Sequence, residues 1–364
     1  MDRTVSVGVV GTSWWSDWWH VPYLRSHPRA KVRAVCGRNR ARAEEVAAKH
    51  SIPRFFTDFR EMIRSSEVEA IVVAVPDDLH YAVTMAALDA GLHVICEKPL
   101  AVTVRDARAM CEKAESAGVT HMTYFTYRWM PWYRYVRELI QAGAIGRCYH
   151  CSIRYLGSYG RGKTYAWRFD RARCCGVLGD LGSHMIDLSR WFVGDISGVS
   201  AELGTFVERD PPEGGRLEPA NDAAVLVLRF AGGGHGTIQV SAVAQTAERN
   251  QEQHVVLHGE KGTIEVDVTM TAGAEVRVAG QEGQFAVAPV PDRFWGTTDR
   301  SMPLMQQIAH LFSTEPIGDR LFIDAVLEGR QVEPSLHDGL EAQLVIDAAI
   351  RSHAEGRWVG VGER

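Results

Sequence analysis

Thr4-Val5-Ser6-Val7-Gly8-Val9-Val10-Gly11-Thr12-Ser13-Trp14-Trp15-Ser16 carries an apolar run directly into a turn of small residues and tryptophans. A near-continuous Val-rich run reads as a strand buried on both faces, as parallel sheets require. A helix-compatible segment follows and ends near His27. The alternation then repeats along the chain. Strands are expected at 31–36, 71–75, 93–96 and 120–125, and helices at 39–50, 59–65, 83–90 and 103–116. Strand-helix units at this spacing predict an α/β fold with a doubly wound parallel sheet.

From Cys148 onward the pattern changes. Strand-like runs at 148–155, 223–230, 236–243, 255–258 and 263–268 are joined by Gly-rich turns, which fits a large mixed or antiparallel open sheet. At 364 residues the chain exceeds what one hydrophobic core usually supports, so two domains are expected, 1–125 and 126–364. Residues 208–219 form a polar Pro/Gly-rich loop that suits a lid or an oligomer contact.

A charged fraction of 23% beside 46% hydrophobic residues is ordinary for a globular protein. The formal charge of -5 gives no electrostatic reason to expect a nucleic acid or an anionic membrane as partner. No window approaches the roughly eighteen apolar residues of a membrane helix, and the first residues lack a signal-peptide core, so a cytoplasmic protein is expected. Seven cysteines, an odd number, suit a reducing compartment. Cys148-Tyr149-His150-Cys151 has the look of a metal clip, but residues three apart on a strand face opposite ways. No metal is expected.

The turn after the first strand of such a sheet is where backbone N–H groups face a dinucleotide pyrophosphate. Gly11-Thr12-Ser13-Trp14-Trp15-Ser16 keeps only the first glycine of G-x-G-x-x-G, although serine is small and its hydroxyl can bond a phosphate oxygen. Trp14 and Trp15 are candidates to lie against a nicotinamide or line a substrate entrance; burial of one helix face is the plainer reading of two of the four nearby tryptophans. After the second strand the chain reads Cys36-Gly37-Arg38-Asn39-Arg40. It has no carboxylate for a ribose 2′-hydroxyl, and Arg38 can pair with a 2′-phosphate, so NADP is favoured and NAD remains possible.

His93-Val94-Ile95-Cys96-Glu97-Lys98-Pro99-Leu100 delivers a carboxylate and an ammonium to the carboxyl end of a buried strand, where ligands of such sheets collect. A salt-bridged turn ending in a helix-starting proline would look the same. Further on, Asp180 and His184 are four apart in a segment read as a helix over 180–192, which puts them on one face. They are either a surface hydrogen bond or a carboxylate-oriented imidazole for acid-base work.

Together with Val75-Pro76-Asp77-Asp78-Leu79-His80 and Gly179-Asp180-Leu181-Gly182-Ser183-His184-Met185-Ile186-Asp187, these motifs resemble the Gfo/Idh/MocA oxidoreductases. The resemblance extends to Asn221-Asp222-Ala223, Gly259-Glu260-Lys261-Gly262 and Asp338-Gly339-Leu340-Glu341-Ala342-Gln343, and so covers nearly the whole chain. It implies an N-terminal Rossmann domain and a C-terminal α/β domain whose open sheet mediates a homodimer or homotetramer. It also implies a nicotinamide cofactor and hydride transfer at a secondary alcohol of a sugar, glycoside or cyclitol. Lys98, Asp180 and His184 would then be catalytic, with either Lys98 or His184 taking the hydroxyl proton. Glu97 would support the site, and the Lys98–Pro99 peptide would be cis. Gly11, Thr12, Ser13, Trp14, Trp15, Gly37, Arg38, Asn39, Val75, Pro76, His80, Glu97 and Lys98 would meet the cofactor. So would Arg128 in the hinge-like stretch Tyr124-Phe125-Thr126-Tyr127-Arg128-Trp129-Met130-Pro131, and the pair Trp167-Arg168; interdomain ion pairing is the alternative for both arginines.

Arg173-Cys174-Cys175-Gly176 departs from the glycine run of many relatives. Two other activities share the pattern: a glycosidase that oxidises and eliminates with bound NAD, and a non-catalytic nucleotide sensor. Retention of Lys98, Asp180 and His184 argues against the sensor, which needs no proton relay.

Overall fold

The computed structural model describes residues 3–281 and 283–363. They form two compact units, one of residues 1–126 with 307–340 and one of residues 127–306 with 341–364, apart from Met1, Asp2, Glu282 and Arg364, which lie outside the described residues.

The first unit opens with β1 (Val5–Val10), α1 (Val21–Ser26), β2 (Ala30–Cys36), α2 (Arg40–Lys49), β3 (Arg54–Phe56) and α3 (Phe59–Arg64). It continues with β4 (Ala70–Val73), α4 (His80–Asp89), β5 (His93–Cys96), α5 (Val104–Ala117) and β6 (His121–Thr123). The six strands form a parallel sheet in the order β3-β2-β1-β4-β5-β6. Strand order reverses beside β1, the point where such sheets bind ligands. Val7 and Val9 of β1 and all four residues of β4 are buried, as the apolar runs require. α5 shows how local sequence sets the ends. Thr103 caps it by accepting from the Asp106 N–H, and Gly118 closes it in the left-handed region.

One helix is shorter than its sequence pattern suggests. The segment ending near His27 begins as a wide turn at Ser16–His20, in which the Val21 N–H reaches back five residues to Ser16 O, and only then becomes α1. Pro22 has no N–H to give to Trp18, so the regular four-residue ladder is interrupted there.

The second unit contains α6 (Pro131–Gln141), β7 (Cys148–Gly157), α7 (Ser183–Val193) and the strands β8 (Ile196–Gly204), β9 (Ala223–Phe230), β10 (His235–Ser241), β11 (Gln251–Gly259), β12 (Gly262–Thr269), β13 (Gly273–Gly280) and β14 (Ala286–Val287). Near the end of the chain come α8 (Leu304–Thr314), α9 (Gly318–Glu328), α10 (Leu336–Glu355) and β15 (Val359–Gly360). The sheet has nine strands in the order β14-β13-β12-β11-β7-β10-β9-β8-β15, and only β7 and β10 pair in parallel. Strict alternation in β9 buries Leu226 and Leu228 and exposes Val225 and Val227, so one face is covered and the other open. The helix expected over 180–192 is also divided: a wide turn at Leu178–Gly182 precedes α7.

α9 packs within the first unit, where it supplies a buried carboxylate, Asp319. No helix among the described residues is long and apolar enough to cross a membrane.

Candidate active site

In the first unit, Gly11 leaves β1 at φ 128°, and a Cβ there would lie 2.0 Å from the Ala74 carbonyl oxygen. Only glycine lets the first turn run this close to the end of β4. The turn then packs half-buried Thr12 toward Gly37 and presents Ser13 and Trp14 outward, with Trp14 62% exposed. Its course is held from α2. Arg42 donates to Thr12 O (3.2 Å) and to Asp17 Oδ2 (2.8 Å), while Lys49 and His50 also reach Asp17 (2.9 and 2.6 Å). Burial pushes the Asp17 carboxyl up, but the hydrogen bonds from Lys49, His50 and Arg42 outweigh it and hold the group at about 2.

Beyond β2, Gly37 packs against Thr12, and Arg38 is exposed. Asn39 spends its side chain as the cap of α2, accepting from the Arg42 N–H at 3.1 Å. Pro76 follows Val75 into a short turn at Asp77–Leu79. His80 is fully buried; its two ring nitrogens lie 2.8 Å from Pro99 O and 2.9 Å from Val75 O. It ties the ends of β4 and β5 together, so the contribution of its side chain is to shape those ends.

The Glu97-Lys98-Pro99 corner follows β5, with the Lys98–Pro99 peptide cis and Lys98 half-buried. Glu97 is buried and saturated. Its Oε1 accepts from Trp15 Nε1 (2.6 Å) and His20 Nε2 (3.0 Å), and its Oε2 accepts from the Lys98 backbone N–H (3.2 Å). Behind His20, Nδ1 donates to Asp319 Oδ1 at 2.9 Å. Asp319 Oδ2 accepts from the Tyr124 hydroxyl (2.6 Å), which in turn accepts from Trp19 Nε1 (3.1 Å). His20, Asp319 and Tyr124 are all fully buried. Burial favours a neutral His20, but Asp319 and Glu97 outweigh it and raise the imidazole to about 9. Burial likewise pushes Glu97 up, and the His20 hydrogen bond and charge bring it below the usual carboxylate range.

The four tryptophans divide by depth. Trp19 is buried and stacks on half-buried Trp15 at 4.5 Å, while Trp14 and Trp18 are exposed.

In the second unit, Asp180 sits in the wide turn before α7. Its Oδ2 accepts from the Tyr159 hydroxyl (2.6 Å) and lies 3.6 Å from Arg168 Nε. Arg168 also covers the Trp167 ring at 4.4 Å. His184 is buried in the first turn of α7 against the Tyr127 ring, 4.5 Å between centroids, and the Tyr127 hydroxyl donates to Tyr155 (2.8 Å). Arg128 forms a bidentate pair with Asp187, at 2.9 and 2.6 Å, and both are buried. Both arginines meet carboxylates, Arg128 on Asp187 and Arg168 near Asp180, but each pair lies within the second unit and is not the interdomain pairing that was the alternative reading. Among the described residues no group of three His, Cys, Asp or Glu side chains is arranged to hold a metal ion.

Sequence reasoning singled out Glu97, Lys98, Asp180 and His184 and did not single out His20, Asp319 or Tyr159, which contact Glu97 and Asp180 directly or through His20. His20 follows an unusual tryptophan cluster, which was the only signal toward it. Nothing in the sequence joins Asp319 to a residue more than two hundred positions earlier.

Two family models match the chain: the oxidoreductase family, NAD-binding Rossmann fold, over residues 5–125, and the oxidoreductase family, C-terminal α/β domain, over residues 137–361. Levoglucosan dehydrogenase of Pseudarthrobacter phenanthrenivorans is 29% identical over 94% of this chain and 91% of that protein. D-apiose dehydrogenase of Paraburkholderia graminis is 25% identical over 93% of this chain and 85% of its own length. The solved complex of levoglucosan dehydrogenase with NADH and levoglucosan superposes with a TM-score of 0.88 at 27% identity, covering 99% of this chain and all of that one.

Proposed function

The chain belongs to the Gfo/Idh/MocA oxidoreductase family, with its NAD-binding Rossmann fold, and from that premise we propose that it is a dehydrogenase that oxidises a secondary alcohol of a sugar, anhydrosugar, glycoside or cyclitol with NAD. The observation that carries this reading is the saturated Glu97 beside Lys98 at the carboxyl end of β5. With three donors on its oxygens, Glu97 is an anchor, and Lys98 is left as the ionisable group for the reaction.

Oxidising a carbinol requires the hydroxyl proton to leave as charge develops on oxygen. Lys98 stabilises that charge, and His184 accepts the proton; Asp180, oriented by Tyr159 and Arg168, binds a neighbouring hydroxyl. The close approach at Gly11 fits a pyrophosphate, with Thr12, Ser13, Trp14 and Trp15 along the turn, Gly37, Arg38 and Asn39 toward the adenosine ribose, and Val75 and Pro76 along the nicotinamide half. When bound, the nicotinamide supplies the hydride acceptor. Trp167 remains a candidate cofactor neighbour in the second unit, its ring covered by Arg168.

The sequence-based preference for NADP finds no support in the comparisons, because the levoglucosan dehydrogenase complexes hold NADH. NAD is therefore the proposed cofactor. The expected domains were 1–125 and 126–364; because residues 307–340 pack with the first unit, the cofactor domain would be 1–126 with 307–340 and the substrate domain 127–306 with 341–364, with the open face around Val225 and Val227 as the contact of a homo-oligomer.

The test is a screen of levoglucosan, aldoses, inositols and aryl glycosides with NAD and NADP separately, read as reduced nicotinamide and as released aglycone. Net reduction with NAD supports the dehydrogenase; aglycone release without net reduction identifies the eliminating glycosidase. Lys98→Met and His184→Ala should each remove most turnover while cofactor binding persists, and near-normal rates in either would overturn the assignment.

A further inference from the structure

The Lys98 corner stands on a charged chain whose His20 and Asp319 lie outside all of the resembling motifs. His20 presents both ring nitrogens to carboxylate oxygens, Nδ1 to Asp319 at 2.9 Å and Nε2 to Glu97 at 3.0 Å. An ionised carboxylate has no proton to donate, so both contacts are hydrogen bonds only if both nitrogens carry hydrogen. With both carboxylates ionised, this geometry makes His20 a buried imidazolium. It is the cation that lets two buried carboxylates coexist, since unpaired charges at such depth are strongly penalised. The aromatic groups packed against it carry no charge, the Tyr124 ring at 4.5 Å and the Trp15 ring edge-on at 6.4 Å, while the Lys98 ammonium adds a positive charge on the Glu97 side.

The chain is anchored at its far end. Gly318 adopts φ 54°, and a Cβ there would come 2.7 Å from the Tyr124 hydroxyl, so glycine lets Asp319 begin α9 directly against Tyr124 and His20. At its near end Glu97 accepts the Lys98 backbone N–H at 3.2 Å, so the carboxylate that His20 holds also orients the Lys98 peptide.

We propose that His20, clamped between Asp319 and Glu97, is a positioning residue that fixes Glu97 and through it the course and charge state of Lys98. The inference rests on the dehydrogenase reading for its catalytic consequence, but the clamp itself is a statement about this chain alone. A neutral replacement at position 20 leaves Glu97 and Asp319 without their shared cation. One of them must then take a proton or turn away, and a displacement of about 1 Å near a reacting group costs about 100-fold in rate.

The direct test uses the unaltered protein. Nitrogen chemical shifts of His20, identified by comparison with His20→Gln, should show both ring nitrogens protonated at pH 7.5; a neutral ring there overturns the proposal. The second arm follows the rate at which Lys98 is acetylated by a small reagent as pH is varied, read by mass spectrometry without substrate. His20→Gln and the milder Asp319→Asn should both move that profile and lower kcat about 100-fold and about 10-fold, with NAD binding changed less than about 3-fold. A Lys98 profile and kcat that match the unaltered protein in a folded Asp319→Asn variant would sink the idea. If instead Lys98→Met retains full turnover, the dehydrogenase mechanism fails while the nitrogen shifts still judge the clamp.

Discussion

Raising the pH should strip the His20 clamp of its contribution to stability. The imidazole rises from its ordinary 6.5 to about 9 in the folded protein, because Asp319 and Glu97 outweigh burial. A tenfold gain in proton affinity corresponds to about 1.36 kcal/mol, so the folded state gains about 3 kcal/mol from holding this proton. The folded pKa lies above the unfolded one. The contribution is therefore complete below pH 6.5, shrinks as pH rises, and is gone above about 9. About 3 kcal/mol is a large share of the 5–15 kcal/mol by which domains are stable. Urea unfolding of the unaltered protein and of His20→Gln should be followed from pH 6 to pH 10. Lysines, tyrosines and cysteines away from the clamp that titrate in this range affect both proteins and cancel in the difference, whereas Lys98, Glu97 and Asp319 do not. The stability gap between the two should narrow by about 3 kcal/mol across the window. A gap that stays constant, or widens with pH, would refute the imidazolium and with it the argument from two carboxylate acceptors.

Asp17 predicts the opposite limb: its carboxyl sits at about 2, so the stabilisation it draws from Lys49, His50 and Arg42 is present above the ordinary 3.8 and lost as pH falls toward 2. Asp17→Asn should flatten that acid limb in urea titrations, and an unchanged limb would show the cluster contributes little. Arg128→Met should destabilise the protein by about 3–5 kcal/mol, because it leaves the Asp187 carboxylate buried without its bidentate partner. Differential calorimetry on Arg128→Met and on the double variant with Asp187→Leu checks this, since the double variant should recover much of the loss. Tyr159→Phe removes the donor to Asp180 and should raise KM more than it lowers kcat; an effect on kcat alone would contradict a substrate-binding role for Asp180.

Much of this protein is legible from local pattern. The valine run of β1, the strand at His93–Cys96 and the alternation in β9 report burial directly, because a strand buried on two faces must be apolar throughout and one buried on a single face must alternate. Glu97, Lys98, Asp180 and His184 were readable for a related reason: they are clustered within short motifs at the ends of those elements. Gly11 was readable too, since a turn this close to Ala74 admits no side chain.

What the tertiary structure alone decided is which charges meet. On sequence grounds Arg128 was expected at a cofactor or in an ion pair, and the fold seats it on Asp187, 59 residues later. His80 was expected beside a cofactor through its backbone, and the fold adds that its side chain bridges Val75 and Pro99. Nothing local to His20, Glu97 or Asp319 shows that they meet, and Asp319 comes from the segment 307–340, which returns to the first unit between the two stretches, 127–306 and 341–364, of the second. Hydrophobic periodicity is a property of neighbours in sequence, so the sequence by itself determined the sheets and the motif ends. A buried ion pair is a property of neighbours in space that must cancel each other's desolvation, and no local pattern records which distant residue supplies the cancelling charge.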